Sequence, residues 1–212
     1  MSEEQSHWAR WHGDYEIEGS ALSRRLAVVQ EAIRDALPAQ LTEPYHCLSM
    51  CTGQGRDLIE ALAGRQDADQ ARALLVESDP GLAADARRRA AEAALSGVEV
   101  VEGDAARLSV YEQIAPADLV LAVGVFGNIS DADIFRTIAH LPQLCRPAAR
   151  VVWTRGRWEP DLTPAIRESF AEHDFHEVDF VAPDDATFSV GVAEYVGEPV
   201  PLDPAVHLFT FR

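Results

Sequence analysis

Lysine is absent from this chain of 212 residues, so all 18 of its basic side chains are arginines. Against them stand 35 acids, for a formal net charge of −17 at pH 7. Nucleic-acid binding draws its affinity from basic patches that displace counterions, so no nucleic-acid partner is expected. The densest basic run, Arg87-Arg88-Arg89, reads as the solvated face of a helix. Cysteine is scarce as well. Cys47, Cys51 and Cys145 form no C-x-x-C pair, which excludes a disulfide framework and a zinc site. No tight His/Asp/Glu cluster suggests another metal, so none is expected. No apolar run approaches the ~18 residues of a membrane-spanning helix. The opening segment, MSEEQSHWARWHGDYEIEG, has no charged stretch followed by an apolar one and so does not read as a signal peptide. These absences lead to the expectation of a cytoplasmic protein with no membrane partner.

What is present is ordinary globular material: 47% hydrophobic and 25% charged residues, enough for a sizeable core. The length suits one domain. Residues 1–212 are read as a single unit, with an N-terminal helical lid or cap (1–40), a central core (41–155) and a C-terminal part (156–212). Leu22, Leu26, Val29, Ile33 and Leu37 recur at spacings of three and four. That spacing predicts an amphipathic helix over Ala21 to Leu37, capped by Ser20 and followed by Pro38. Short apolar runs then alternate with helical patterns. Strands are expected at Tyr45–Met50, Ala73–Glu77, Val98–Glu102, Asp118–Val123 and Ala149–Thr154. Helices are expected through Leu58–Leu62, from Pro80 to about Leu95, over most of Ile129 to Cys145, and over Thr163–Glu172. Such alternation implies parallel βαβ units with helices on both faces of a doubly wound, mostly parallel sheet. Phe175–Val181 and His207–Phe211 read as strands, while Phe188–Val196 fits strand or helix. No convincing helix separates these last segments, so the α/β sheet is expected to carry an antiparallel C-terminal edge hairpin.

The ends of successive strands carry the chemistry. Cys51-Thr52-Gly53-Gln54-Gly55 follows the first strand and precedes a helix. Glycines there allow a tight turn and close approach to a ligand beside exposed helix N–H groups. Glu77 ends the second strand, where an acid accepts from both hydroxyls of an adenosine ribose. Glu102-Gly103-Asp104-Ala105 follows the third. There a carboxylate accepts from an exocyclic adenine amine, and the next backbone N–H faces a ring nitrogen. Val123-Gly124-Val125-Phe126-Gly127-Asn128 follows the fourth, at the edge where doubly wound sheets open.

Taken in order, these four segments resemble those of class I (Rossmann-like) S-adenosylmethionine-dependent methyltransferases, over about residues 20–155. In that family the first turn usually reads acid-x-Gly-x-Gly-x-Gly. Gly53 and Gly55 match it here, while Ser49 and Cys51 stand in place of the acid and the first glycine. Leu75–Pro80 resembles the ribose-binding segment, and Glu102–Ala105 the adenine-binding one. The resemblance implies a seven-stranded sheet. It also implies S-adenosylmethionine as cofactor, S-adenosylhomocysteine as product, and a cofactor site at Cys51, Gly53, Gly55, Glu77, Ser78, Asp104, Ala105 and Val123.

Two segments are candidates for the acceptor side. The first holds Trp8, Trp11, His12 and Tyr15, a possible aromatic lid or simply a packed amphipathic helix. Within it His12 and Tyr15 are weak candidates for a base. The second is Trp153-Thr154-Arg155-Gly156-Arg157-Trp158. There Arg155, Arg157 and Trp158 would suit an anionic or aromatic substrate, or the arginines would pair with surface acids. Asn128 is placed near the transferred methyl by position. A small-molecule acceptor is expected on charge grounds, with a peptide or protein acceptor as runner-up. Two rivals remain. One is a non-catalytic cofactor-binding or assembly module. The other is an NAD-dependent oxidoreductase, disfavoured because Leu58 occupies the third glycine position of G-x-G-x-x-G and the chain has no lysine for a Tyr-x-x-x-Lys site. Oligomeric state is not encoded legibly.

Overall fold

A computed structural model describes residues 17, 19–41 and 44–212. Helix α1 (Ala21–Ala36) begins where expected, with Ser20 as N-cap accepting from the Ser23 N–H at 3.0 Å. Strand β1 (Tyr45–Met50) follows, then the short α2 (Leu58–Leu62), β2 (Ala71–Glu77), α3 (Pro80–Glu92) and β3 (Val98–Glu102). Asp79 caps α3 through Gly81 N and Leu82 N, and Pro80 occupies its first turn, where a missing N–H costs nothing. The chain continues through β4 (Ala117–Ala122), α4 (Asp131–His140), β5 (Cys145–Gly156), α5 (Thr163–Glu172), β6 (Phe175–Val181) and β7 (Phe188–Tyr195).

The seven strands make one sheet in the order β3-β2-β1-β4-β5-β7-β6. The pairings β1–β2, β1–β4, β2–β3 and β4–β5 are parallel, whereas β7 is antiparallel to both β5 and β6. The expected class is therefore present, a doubly wound α/β sheet with an antiparallel C-terminal hairpin. Side chains alternate between two cores. Cys47, Leu75, Leu119 and Leu121 face α1, α2 and α3 through Val29, Ile33, Leu58, Leu62 and Ala86. Leu48, Met50, Leu74, Val76 and Val120 face α4 and α5 through Ile134, Ile138, Ile166 and Phe170. Burial on both faces explains why the inner strands are almost continuously apolar.

Three expectations need correction at the C-terminal side. The helix expected to reach Cys145 stops at His140. Pro142 sits in a 3₁₀ turn, Leu141–Leu144, and Cys145 already opens β5. Phe188–Tyr195, ambiguous in sequence, is a strand. It lies between β5 and β6 and is buried along almost its whole length, so it shows no alternation. His207–Phe211 is not a sheet strand. It forms isolated antiparallel bridges, Arg107 with His207 and Ile129 with Phe211. Leu208 N donates to Ala106 O at 2.8 Å, and Arg212 N to Asn128 O at 2.9 Å. The tail thus straps the loops that follow β3 and β4, and it buries Leu208 and Phe209 in the α4–α5 core. Within the described residues, no helix is long and apolar enough to cross a membrane.

Two substitutions test this packing. Phe209, only 2% exposed, is as much a core residue as any strand position, so Phe209→Ala should cost roughly 3–5 kcal/mol in a denaturant melt. In β7, Gly191 pairs with Trp153 across the ladder, and a Cβ there would stand 2.3 Å from the indole. Gly191→Ala should therefore cost about 1–3 kcal/mol by overpacking, and an unchanged melting midpoint would contradict that.

Candidate active site

The turn after β1 is set by three left-handed residues: Cys51 at φ +51°, Gly53 at +57° and Gly55 at +67°. That region costs a residue bearing a Cβ about 1–2 kcal/mol. Cys51 therefore adopts the conformation for which the resembling family uses glycine. At Gly55 a Cβ would stand 2.6 Å from Ile59 Cδ1, so the glycine lets α2 pack down onto the turn. The turn is tied to β2, with Thr52 N donating to Val76 O at 3.0 Å. Below it, the buried Ser49 hydroxyl donates to Thr52 Oγ1 at 3.1 Å, where an acid is usual in the resembling family.

Glu77 joins two of the expected cofactor segments. Its Oε2 accepts from Gly53 N at 2.7 Å and its Oε1 from Asp79 N at 2.9 Å. An ionised carboxylate has about four lone-pair sites, so these contacts fix its orientation and leave acceptor capacity. The exposed Ser78 hydroxyl lies 3.5 Å from Oε1. After β3, Asp104 accepts from Ala106 N through Oδ1 at 3.0 Å. Its Oδ2 stands 3.3 Å from both Arg107 Nε and His207 Nε2, so the C-terminal strap reaches this carboxylate. Ala105 is buried, and its carbonyl accepts from the Tyr111 hydroxyl at 2.8 Å. Burial pushes the Cys51 thiol well above its ordinary pKa, and the Glu77 and Asp104 charges push it further. This keeps the thiol protonated near neutrality. The expected residues after β1, β2 and β3 are thus brought together.

Strand order reverses beside β1, between β1 and β4, which is where doubly wound sheets open a crevice. Val123 and Gly124 follow β4, and Gly124 N donates to Thr154 Oγ1 at 2.8 Å. A cleft here is walled by Thr52, Gln54, Asp57 and Val123 from the strand ends, and by Arg25 and Leu26 from α1. Asp57 caps α2 by accepting from Leu58 N at 2.7 Å. Burial raises its pKa, and the Leu58 N–H and the Arg25 charge oppose the rise.

Next to this cleft, and sharing Arg25 with it, lies a cavity of about 330 Å³ over the ends of β4 and β5. Asn128, Thr154, Arg155, Trp158 and Phe188 line it, together with Leu22 of α1. The Asn128 amide donates to Gly124 O at 2.7 Å. The Trp158 ring is 56% exposed yet pinned against Gly156, where a Cβ would stand 2.3 Å from it. Arg155 donates through Nη1 to Phe126 O at 3.0 Å, and its guanidinium carbon lies 5.7 Å from the Trp158 ring centroid. Burial lowers its pKa, but a guanidinium stays charged at neutral pH.

Of the sequence-selected acceptor residues, Asn128, Arg155 and Trp158 therefore meet in one cavity. Arg157 does not line it. Its Nη2 donates to Pro183 O and, at 2.7 Å, to Ala186 O, tying down the loop before β7. Trp153 is turned into the core, stacked on Phe170 at 5.7 Å. Trp8, Trp11, His12 and Tyr15 lie outside the described residues. Arg25 was missed by sequence reading, although its spacing carried a signal. It falls three residues after Leu22 and four before Val29, which puts a charge on the apolar stripe of α1. Phe188 was missed because it is a buried strand residue whose role appears only when β5 and β7 pair; Thr154 lies in the selected segment but was not singled out within it.

Comparisons with known proteins agree with this fold. Residues 47–148 match the sequence profile of a methyltransferase domain, whereas no curated protein matches the chain. Among solved structures, magnesium protoporphyrin IX methyltransferase from Synechocystis PCC 6803, with bound SAH, superposes with a TM-score of 0.65 at 14% identity. The match covers 89% of this chain and 94% of that one. The 1,6-didemethyltoxoflavin-N1-methyltransferase of Burkholderia thailandensis gives 0.60 at 18% identity, over 89% and 84%. A possible exported protein from Bordetella parapertussis gives 0.66 at 16%, over 82% and 68%. At such identities the structural likeness establishes the fold, and the sequence profile establishes the kind of domain. Residues 47–148 therefore carry a methyltransferase domain, on the fold shared by S-adenosylmethionine-dependent methyltransferases.

Proposed function

We propose that the chain transfers a methyl group from S-adenosylmethionine to a small-molecule acceptor. The observation that carries this reading is Glu77. Its carboxylate is locked by the Gly53 and Asp79 amides at the mouth of the crevice beside β1, in position to accept from ribose hydroxyls. The residues present fit the cofactor. The left-handed turn at Gly53 and Gly55 would bring backbone close to a ligand, Asp104 keeps a half-exposed carboxylate for the adenine, and Val123 and Thr52 wall the cleft beside the turn. When bound, the cofactor supplies a methyl on a sulfonium. In-line attack by an acceptor lone pair would take that methyl, leave the C–S electron pair on sulfur and release a proton from a protonated acceptor.

Little else is asked of the protein. Holding donor and acceptor in line and excluding water supplies much of the rate. Thr154, through Gly124 N, fixes the β4 turn at the boundary between the cofactor cleft and the cavity. The cavity volume of about 330 Å³ is at the small-molecule end of ligand sites and favours a small acceptor over a folded protein surface. Ser49 and Cys51 in the first turn favour one alternative, a module that binds the cofactor without turnover.

Parallel calorimetric titrations with S-adenosylhomocysteine and NAD test the cofactor assignment. Micromolar binding of the first and none of the second is expected, and the reverse would sink it. Methylated product from an acceptor panel then separates the enzyme from the binding module. Glu77→Gln keeps one neutral acceptor for the turn but loses the charge. It should weaken S-adenosylhomocysteine binding roughly 10- to 100-fold, about 1.5–3 kcal/mol, and unchanged affinity in a folded variant would misplace the ribose.

A further inference from the structure

The cavity over β4 and β5 runs against the charge of the chain around it. Acids outnumber arginines 35 to 18 in the sequence, yet the charged residues lining the cavity, among those described, are Arg25 and Arg155. Arg155 is also incompletely used by the fold. One Nη1 contact to Phe126 O is made, while its Nε is buried without a hydrogen-bond partner. That leaves the Arg155 guanidinium with one hydrogen bond to the protein, where that of Arg157 makes two. Beside it, Trp158 presents an exposed ring held in place by Gly156 and by the guanidinium itself.

We propose that this cavity takes a planar anionic acceptor, a carboxylate-bearing aromatic or heteroaromatic compound, with its carboxylate at Arg155 and its ring on Trp158. The proposal rests on the methyl-transfer reading of the adjoining turns for calling the ligand an acceptor, but the anion site itself does not. A guanidinium presents two parallel N–H donors to a carboxylate, and an aromatic face beside it holds a flat ring at low entropic cost. A cationic ligand would meet two guanidiniums, and a neutral one would offer an acceptor without charge assistance. Asn128, whose amide is committed to Gly124 O, still offers its side-chain carbonyl oxygen at the same wall.

The test uses three flat probes of one size: 2-naphthoate, 2-naphthamide and 2-naphthylmethylammonium. Each is titrated by ligand-observed NMR against the full chain, with and without saturating S-adenosylhomocysteine. Naphthoate should bind at least about tenfold tighter than either other probe. Arg155→Met should abolish that preference, Arg155→Lys should retain part of it, and Arg157→Met, outside the cavity, should leave it intact. Equal binding of the amide, tighter binding of the ammonium, or binding of none overturns the proposal. If Arg155→Met melts at too low a temperature to assay, the wild-type series and Arg155→Lys decide. Failure of S-adenosylhomocysteine to bind would sink the methyl-transfer reading alone, since the naphthoate series without it still reports on the anion site.

Discussion

Because β1 hydrogen-bonds in parallel to β2 on one side and β4 on the other, the crossovers on its two flanks must run in opposite directions. The sheet therefore has a point at its centre that no crossover covers. Peptide groups at the head of β1 cannot continue the ladder there and must find partners in turns. Thr52 N finds Val76 O, and Gly53 N finds the Glu77 carboxylate. The Glu77 contact is charge-assisted and buried, so it is among the stronger polar contacts the fold makes. It also sets the geometry of everything nearby. The turn it holds sends α2 downward, and the Asp79 amide it holds starts α3. The result is a crevice beside β1 with a buried, oriented carboxylate next to the turn.

The parallel half of the sheet was legible because its signals are local. An apolar run, a turn residue at its end, and a capped helix after it fit within about thirty residues, and Ser20, Asp79-Pro80 and Ser130 mark helix starts that the structure retains. The C-terminal region was harder because its structure is set by distant partners. Nothing within Phe188–Tyr195 distinguishes a strand from a helix until β5 and β6 pair on either side of it. The pattern Leu208-Phe209 is apolar enough for a strand, yet it joins no strand of the sheet. The segment pairs instead with the loops after β3 and β4, whose amides and carbonyls would otherwise lack protein partners.

The site followed the same division. Gly53, Gly55, Glu77 and Asp104 sit at strand ends, a position readable from the order of elements. The cavity wall over β4 and β5 depends on side-chain direction. Arg155 and Arg157 are two residues apart on one chain segment and look equivalent in sequence. Arg155 ends inside β5 and turns to the cavity, whereas Arg157 leaves the strand and is captured by carbonyls at Pro183 and Ala186. Trp153 and Trp158 diverge in the same way, one packed over Gly191 and the other over Gly156. In both pairs the deciding factor is which glycine or carbonyl lies across the fold, and that is long-range information.

The opposing signs of the whole chain and of the cavity are compatible because they act over different distances. A net charge of −17 repels an anion on approach, but at physiological ionic strength that field is screened beyond about 8 Å. Inside the cavity, contacts are at hydrogen-bond range, the surroundings are partly desolvated, and a guanidinium interacts far more strongly than it would in water. The acidic exterior therefore lowers the rate of encounter without setting the affinity, which belongs to Arg155 and its neighbours. It also makes association with this site rise with added salt at first, as exterior repulsion is screened, before the buried ion pair is itself weakened. The initial rise is then a property of the acidic exterior, and the later weakening a property of the arginine contact itself.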